Sequence, residues 1–139
     1  MKDLMNKIDV KRVISPASVA DNTPQVGQVV DLQGFNSLTY VIATGSIADA
    51  DATFTVLLEE SDAAGSGFTA VADDNLIGTE ALAGFQFDDD NECRKLGYRG
   101  DKRYTRLTVT PVGNASAALL AAVAILSHPA MGPTANPPA

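Results

Sequence analysis

The stretch RKLGYRGDKRYTRLTVTP, residues 94 to 111, decides the fold class. Thr105, Leu107 and Val109 alternate with Tyr104, Arg106, Thr108 and Thr110, the period of two of a strand with one dry and one wet face. Pro111 is expected to close that strand. Upstream, Arg99-Gly100-Asp101-Lys102 has the chemistry of a tight turn, because Gly100 admits a positive φ and Asp101 can bond its own backbone. Together they read as a hairpin joining a strand that ends near Tyr98 to the Tyr104 strand.

The same stretch holds most of the positive charge. Six of the ten basic residues lie here (Arg94, Lys95, Arg99, Lys102, Arg103, Arg106), and the other four (Lys2, Lys7, Lys11, Arg12) fall in the first twelve positions. Between Val13 and Cys93 there is no Lys or Arg, while fourteen of the seventeen acids lie in that span. Two readings follow. Either the basic turn and arm sit beside acidic loops of their own molecule, where exposed pairs contribute about 0 to 1 kcal/mol, or one pole meets the opposite pole of a neighbour and sets its orientation. Under the second, Lys7, Lys11, Arg12, Arg99, Lys102, Arg103 and Arg106 are the candidate subunit or shell interface.

Working outward, Ile8 to Ile14 reads as a first strand ended by Ser15-Pro16, and Val26 to Leu32 as a second closed by Gly34. Ser37 to Ala43 places Leu38, Tyr40 and Ile42 on one face, with Thr44-Gly45-Ser46 as its breaker. In Ala52 to Glu60, Phe54, Val56 and Leu58 share a parity. Phe68 to Gly84 is an irregular excursion with one helical turn, a lid on one end of the core. Phe85 and Phe87 open a further strand, interrupted by the acidic run Asp88 to Glu92. Ala117 to Ser127 is apolar at both parities; its Ala and Leu content suits a helix, whereas its Gly-Asn and His-Pro boundaries suit a strand covered on both faces, and the strand is the reading adopted.

Eight or so short strands joined by Gly, Asn, Asp and Pro turns predict an all-β chain, an antiparallel β-sandwich, with a jelly roll first and an immunoglobulin-like sandwich second. The expected organisation is a flexible arm over residues 1–7, one sandwich domain over 8–128, and a Pro-rich extended tail over 129–139 that holds four of the seven prolines.

Composition narrows function. A chain of 139 residues with 45% apolar and 19% charged residues folds around its own core. The formal charge of −7 and the absence of Trp argue against nucleic acid, whose backbone is bound by Lys and Arg and whose bases stack on aromatics. The one cysteine, Cys93, rules out an internal disulfide framework and reads as a buried or half-buried inert thiol. No apolar run reaches the roughly 20 residues of a membrane span, and no signal-type segment opens the chain, so a soluble product of a reducing cytoplasm is expected. His128 has no serine or cysteine elbow to serve. The run Asp88, Asp90, Glu92 has the alternate carboxylates of a calcium loop, but Cys93 stands where that loop needs glycine; it reads as a solvated turn. The Arg99-Gly100-Asp101 tripeptide matches a cell-adhesion signal, and a turn accounts for it. No catalytic, cofactor or metal residue is assigned, and no enzyme is expected.

Three blocks, DADATFTVLLEESDAA (49–64), LGYRGDKRYTRLTVTP (96–111) and AVAILSHPAMGP (122–133), resemble in the same order a family of small structural proteins of tailed bacteriophages and prophages, encoded near the major capsid protein. The resemblance spans residues 28 to 133 and carries no catalytic motif. It implies a virion component on the capsid surface, a decoration or cement protein that binds the major capsid protein as a homo-oligomer, a trimer first, after synthesis in the host cytoplasm, with neither nucleic acid nor membrane as partner. A head-tail connector or tail component is the alternative within that class. A carbohydrate-binding or carbohydrate-active sandwich is the alternative outside it, and would need paired acids in a cleft with aromatic platforms.

Overall fold

In the computed structural model, which describes residues 2–138, the chain is an antiparallel sandwich of two sheets. The strands are β1 (Ile8–Val19), β2 (Gln25–Val26), β3 (Val30–Asp31), β4 (Phe35–Ile47), β5 (Thr53–Ser61), β6 (Thr69–Ala70), β7 (Leu76–Ile77), β8 (Phe85–Gln86), β9 (Cys93–Tyr98), β10 (Tyr104–Val112) and β11 (Ala118–Pro129). One helical turn, α1 (Glu80–Ala83), is capped by the Thr79 hydroxyl, which accepts from Leu82 N–H at 3.0 Å.

The first sheet has the order β1-β11-β4-β9-β7 and the second β2-β10-β5-β6, with β3 on β10 and β8 on β5. First strand pairs with last, the β2–β3 segment with β10, β4 with β9, and β5 with β6. This nesting of hairpins, with alternate pairs assigned to opposite sheets, is a jelly roll rather than an immunoglobulin-like sandwich. β11 is a strand, central in its sheet between β1 and β4.

The alternation read in the sequence is what fills the core. Leu38, Tyr40 and Ile42 of β4, and Leu120, Ala122, Ala124 and Leu126 of β11, face Phe54, Val56 and Leu58 of β5 and Leu107 and Val109 of β10, all buried. Phe85 stacks on Phe54 with ring centroids 4.7 Å apart. At the middle of the core the Tyr40 and Thr105 hydroxyls meet at 2.6 Å, so this buried phenol finds a partner on the opposite sheet. Thr105 is fully buried.

Several boundaries differ from expectation. Residues 99–102 do not close a hairpin, because β9 and β10 lie in different sheets; they form an arch across one end of the sandwich. Its organiser is Tyr98, whose hydroxyl accepts from Lys102 N–H and donates to the Glu60 carboxylate, both at 3.1 Å, while a Cβ at Gly100 would collide with the Tyr98 ring. β1 continues through Ser15-Pro16 to Val19 with register shifts on either side of Ile14, which is tolerated because β1 is an edge strand. Pro111 lies inside β10, beyond the last β2 pair at Val109, where no strand needs its missing N–H. Gly45 does not break β4: it lies beneath Leu119, whose Cβ would be 2.8 Å from an added methyl. The 26–32 stretch splits in two, because Gly27 N–H bonds the Leu107 carbonyl (2.7 Å) and Gln28 N–H that of Val13 (2.9 Å). Phe87 is exposed and outside any strand, and Cys93 is exposed rather than buried.

Arm and tail lie against each other. Thr134 donates its backbone N–H to Asn6 O (3.0 Å) and its hydroxyl to Ile8 O (2.5 Å), and Lys7 ends a 3-10 turn over Met5–Lys7.

Candidate functional site

The charges of the arch are engaged within the chain. Arg103 forms a two-pronged pair with Asp31, both contacts 2.9 Å, and donates to Gln33 at 2.7 Å. Lys102 meets Asp62 at 2.9 Å, and Arg99 donates to the Asp74 carbonyl at 2.8 Å. On the outer face of the second sheet Arg106 pairs with Glu59 at 2.9 Å and lies over the Phe68 ring, 4.4 Å from its centroid. The Arg103 guanidinium holds the Asp31 carboxyl below the usual carboxylate range, and Asp62 holds the Lys102 ammonium above the usual lysine value. Arg99, Lys102 and Arg103 line one depression of about 500 Å³. Lys11, paired with Asp9 at 3.1 Å, and Arg12 lie along β1, and Lys7 lies at the arm. The seven candidates therefore occupy several places, not one patch.

The first sheet presents a different surface. Cross-strand partners share a face, so the register sets its outer rows: Val10, Ile125 and Thr39; Arg12, Val123, Val41 and Lys95; Ala121, Ala43 and Cys93. Leu119 continues the patch toward Gly45. These residues are exposed or half-buried, while their sequence neighbours Ala122, Ala124, Leu126 and Ile42 are buried. The rows hold aliphatic and small side chains, two cations and no acid, on a chain of net charge −7. Four strands at about 4.8 Å spacing and six residues at about 3.4 Å rise give a footprint of roughly 400 Å², the size at which an exposed apolar patch marks an interaction site. Shallow grooves flank it, one of about 460 Å³ bordered by Ile77, Leu82 and Cys93, the other of about 370 Å³ beside Gly45 and Leu119.

The sequence reading named Arg12 but missed Lys95 and the face itself. The signal was the parity of Lys95 with Cys93, opposite to that of Leu96 and Tyr98; the pairing that sets them beside Val41 was not legible.

Elsewhere, carboxylates are committed to the backbone. A hollow of about 460 Å³ over β5 is lined by both Glu80 and Asp89, but Glu80 accepts from Leu58 N–H at 2.7 Å, and Asp89 accepts from Gln86 N–H at 2.8 Å and pairs with Arg94 at 2.9 Å. Both act as struts for the edge of β5 and the 86–92 loop. Asp90 accepts from Ile47 N–H at 3.1 Å, so the acidic run fastens to β4 as well as facing solvent. Among the described residues no cluster of three or more His, Cys, Asp or Glu side chains forms a metal site, and no helix is long and apolar enough to cross a membrane.

No protein-family model matches the chain, and no curated protein does. Among solved structures, the fold is similar to that of the PBSX exported protein XepA, with a TM-score of 0.56 and 15% identity over 98% of this chain. The chain spans 42% of that protein. The SPBc2 prophage-derived protein YomS aligns with a TM-score of 0.45 and 13% identity, over 85% of this chain and 92% of that one. The CBM22-1–GH10 modules of Clostridium thermocellum xylanase 10B align at 0.47 and 10% identity, over 95% of this chain and 28% of theirs.

Proposed function

We propose that the chain is a non-enzymatic structural subunit of a tailed-bacteriophage particle, a decoration or cement protein that seats on the outside of the head shell and binds the major capsid protein. The observation that carries this reading is the acid-free apolar outer face of β1, β11, β4 and β9, a surface whose exposure is costly in water and which a second protein would cover. It is supported by the three sequence blocks that resemble small virion proteins in the same order, and by the jelly-roll scaffold.

A footprint of roughly 400 Å² is about half of what one partner contributes to a standard stable interface. One copy on one shell site is therefore weakly held, and linking several copies raises overall avidity without new contacts. This favours a homo-oligomer, the trimer first, matched to a local symmetry axis of the shell. Quantitative mass spectrometry of purified particles tests the proposal. A copy number near that of the major capsid protein is expected; about a dozen copies or fewer would move the chain to the head-tail connector, and its absence from particles would overturn the reading.

A further inference from the structure

The outer face of the first sheet carries two cations, Arg12 and Lys95. Arg12 and Lys95 stand in one row with Val123 and Val41 between them, three strand spacings or about 14 Å apart. Among the described residues neither has a carboxylate within ion-pair distance; Arg12 donates instead to the Ser15 hydroxyl at 2.8 Å. Arg94, Lys102, Arg103 and Arg106 all hold carboxylates. Two unpaired cations thus flank the apolar strip of a strongly acidic molecule.

That placement limits what can cover the face. A purely apolar partner would remove Arg12 and Lys95 from water with nothing to compensate them, at a cost of several kcal/mol per ion that offsets much of what burying the strip returns. A second copy docked face to face about a two-fold axis would bring the same cations and no acid. Resting on the shell-binding reading above, we infer that this face is the one that meets the shell, and that it recognises a flat aliphatic surface bearing carboxylates about 14 Å apart, the span of three strand spacings. The groove beside Lys95, bordered by Ile77, Leu82 and Cys93, receives an apolar side chain of that surface.

Cys93 supplies the test, since it is the chain's only cysteine, is exposed and lies on this face. Its labelling by a maleimide dye is timed in the free protein and in intact particles. Shielding by the shell should slow labelling about ten-fold or more, because reaction requires access to the thiolate. In parallel, heads stripped of the protein are re-bound with the wild type, with Arg12→Glu/Lys95→Glu, and with the arch variant Lys102→Glu/Arg103→Glu. The first variant should bind about ten-fold more weakly or worse, the arch variant should match the wild type, and wild-type binding should fall as salt rises. Protein present on particles with Cys93 labelled at the free rate would overturn this inference and leave the shell-binding reading standing. A thiol already shielded in the free protein would assign the face to contacts between copies and also overturn it. Absence of the protein from particles removes both.

Discussion

Replacing Tyr40 by Phe removes a single oxygen from the centre of the molecule and should be felt across both sheets. Tyr40 and Thr105 are each fully buried, and their hydroxyls, 2.6 Å apart, join β4 to β10 through the core. Tyr40→Phe leaves the Thr105 hydroxyl buried without its partner, a penalty of about 1 to 3 kcal/mol; Thr105→Val leaves the phenol stranded at similar cost. Removing both leaves no orphan, so the double variant should be less destabilised than the sum of the single ones by about 1 to 2 kcal/mol. Urea unfolding at neutral pH measures this, with m expected to stay constant because the surface exposed on unfolding is unchanged. For a chain of this size each kcal/mol corresponds to roughly 3 to 5 °C in Tm. Additive single-variant costs, or a neutral Tyr40→Phe, would refute the bridge as a contributor to stability.

Alkaline pH should act through the same residue and through Tyr98. Burial raises both phenols above their ordinary value, Tyr98 to about 12 with the Glu60 carboxylate adding to the rise. A raised folded-state value means that stability is fully present below pH 10 and is lost as pH rises from 10 through 12; the phenolate absorbance of Tyr40 and Tyr98 should appear together with unfolding, and ordinary titration of these two in the folded protein would contradict this. Gly27→Ala should cost about 2 to 4 kcal/mol, since an added methyl would lie 2.6 Å from both the Leu107 carbonyl and Val13 Cγ1. Gly65→Ala, which meets open space, should stay within about 0.5 kcal/mol in the same thermal melts. Arg103→Ala should lower stability by no more than about 1 kcal/mol, while the Asp31 carboxyl, now held low by Arg103, titrates closer to its ordinary value by NMR.

The strands were legible where one face meets the core. Thr105, Leu107 and Val109 are fully buried, as their parity required, and Phe54, Val56 and Leu58 are likewise buried. What the sequence did not carry was which sheet each strand joins. Gly100 and Asp101 signalled a turn but not its kind: in the arch Gly100 does not take a positive φ, and its missing side chain instead makes room for the Tyr98 ring, whose hydroxyl sits between Lys102 and Glu60. Pro16 and Pro111 looked like stops because proline cannot sit between two hydrogen-bonded neighbours, yet at each site one neighbour is missing. Cys93 reads as buried or half-buried on residue type; its parity, shared with Lys95, places it outside, where it is exposed. The candidate face was the least legible element, since it is assembled from strands as far apart in sequence as β1 and β11.

That pairing also governs how the molecule comes into being. Ile8 registers with Ser127 and Val19 with Ala118, so β1 acquires its neighbour only when the last strand is available, and β4 lacks one of its two partners until then. Long loop closures of this kind slow folding. As the chain emerges from the ribosome, two long strands wait with open edges and uncovered apolar faces, the species most prone to stick to one another. The first sheet is therefore closed only when β11 takes its place between β1 and β4. The surface whose outer rows run across β1, β11 and β4 is not assembled before that step.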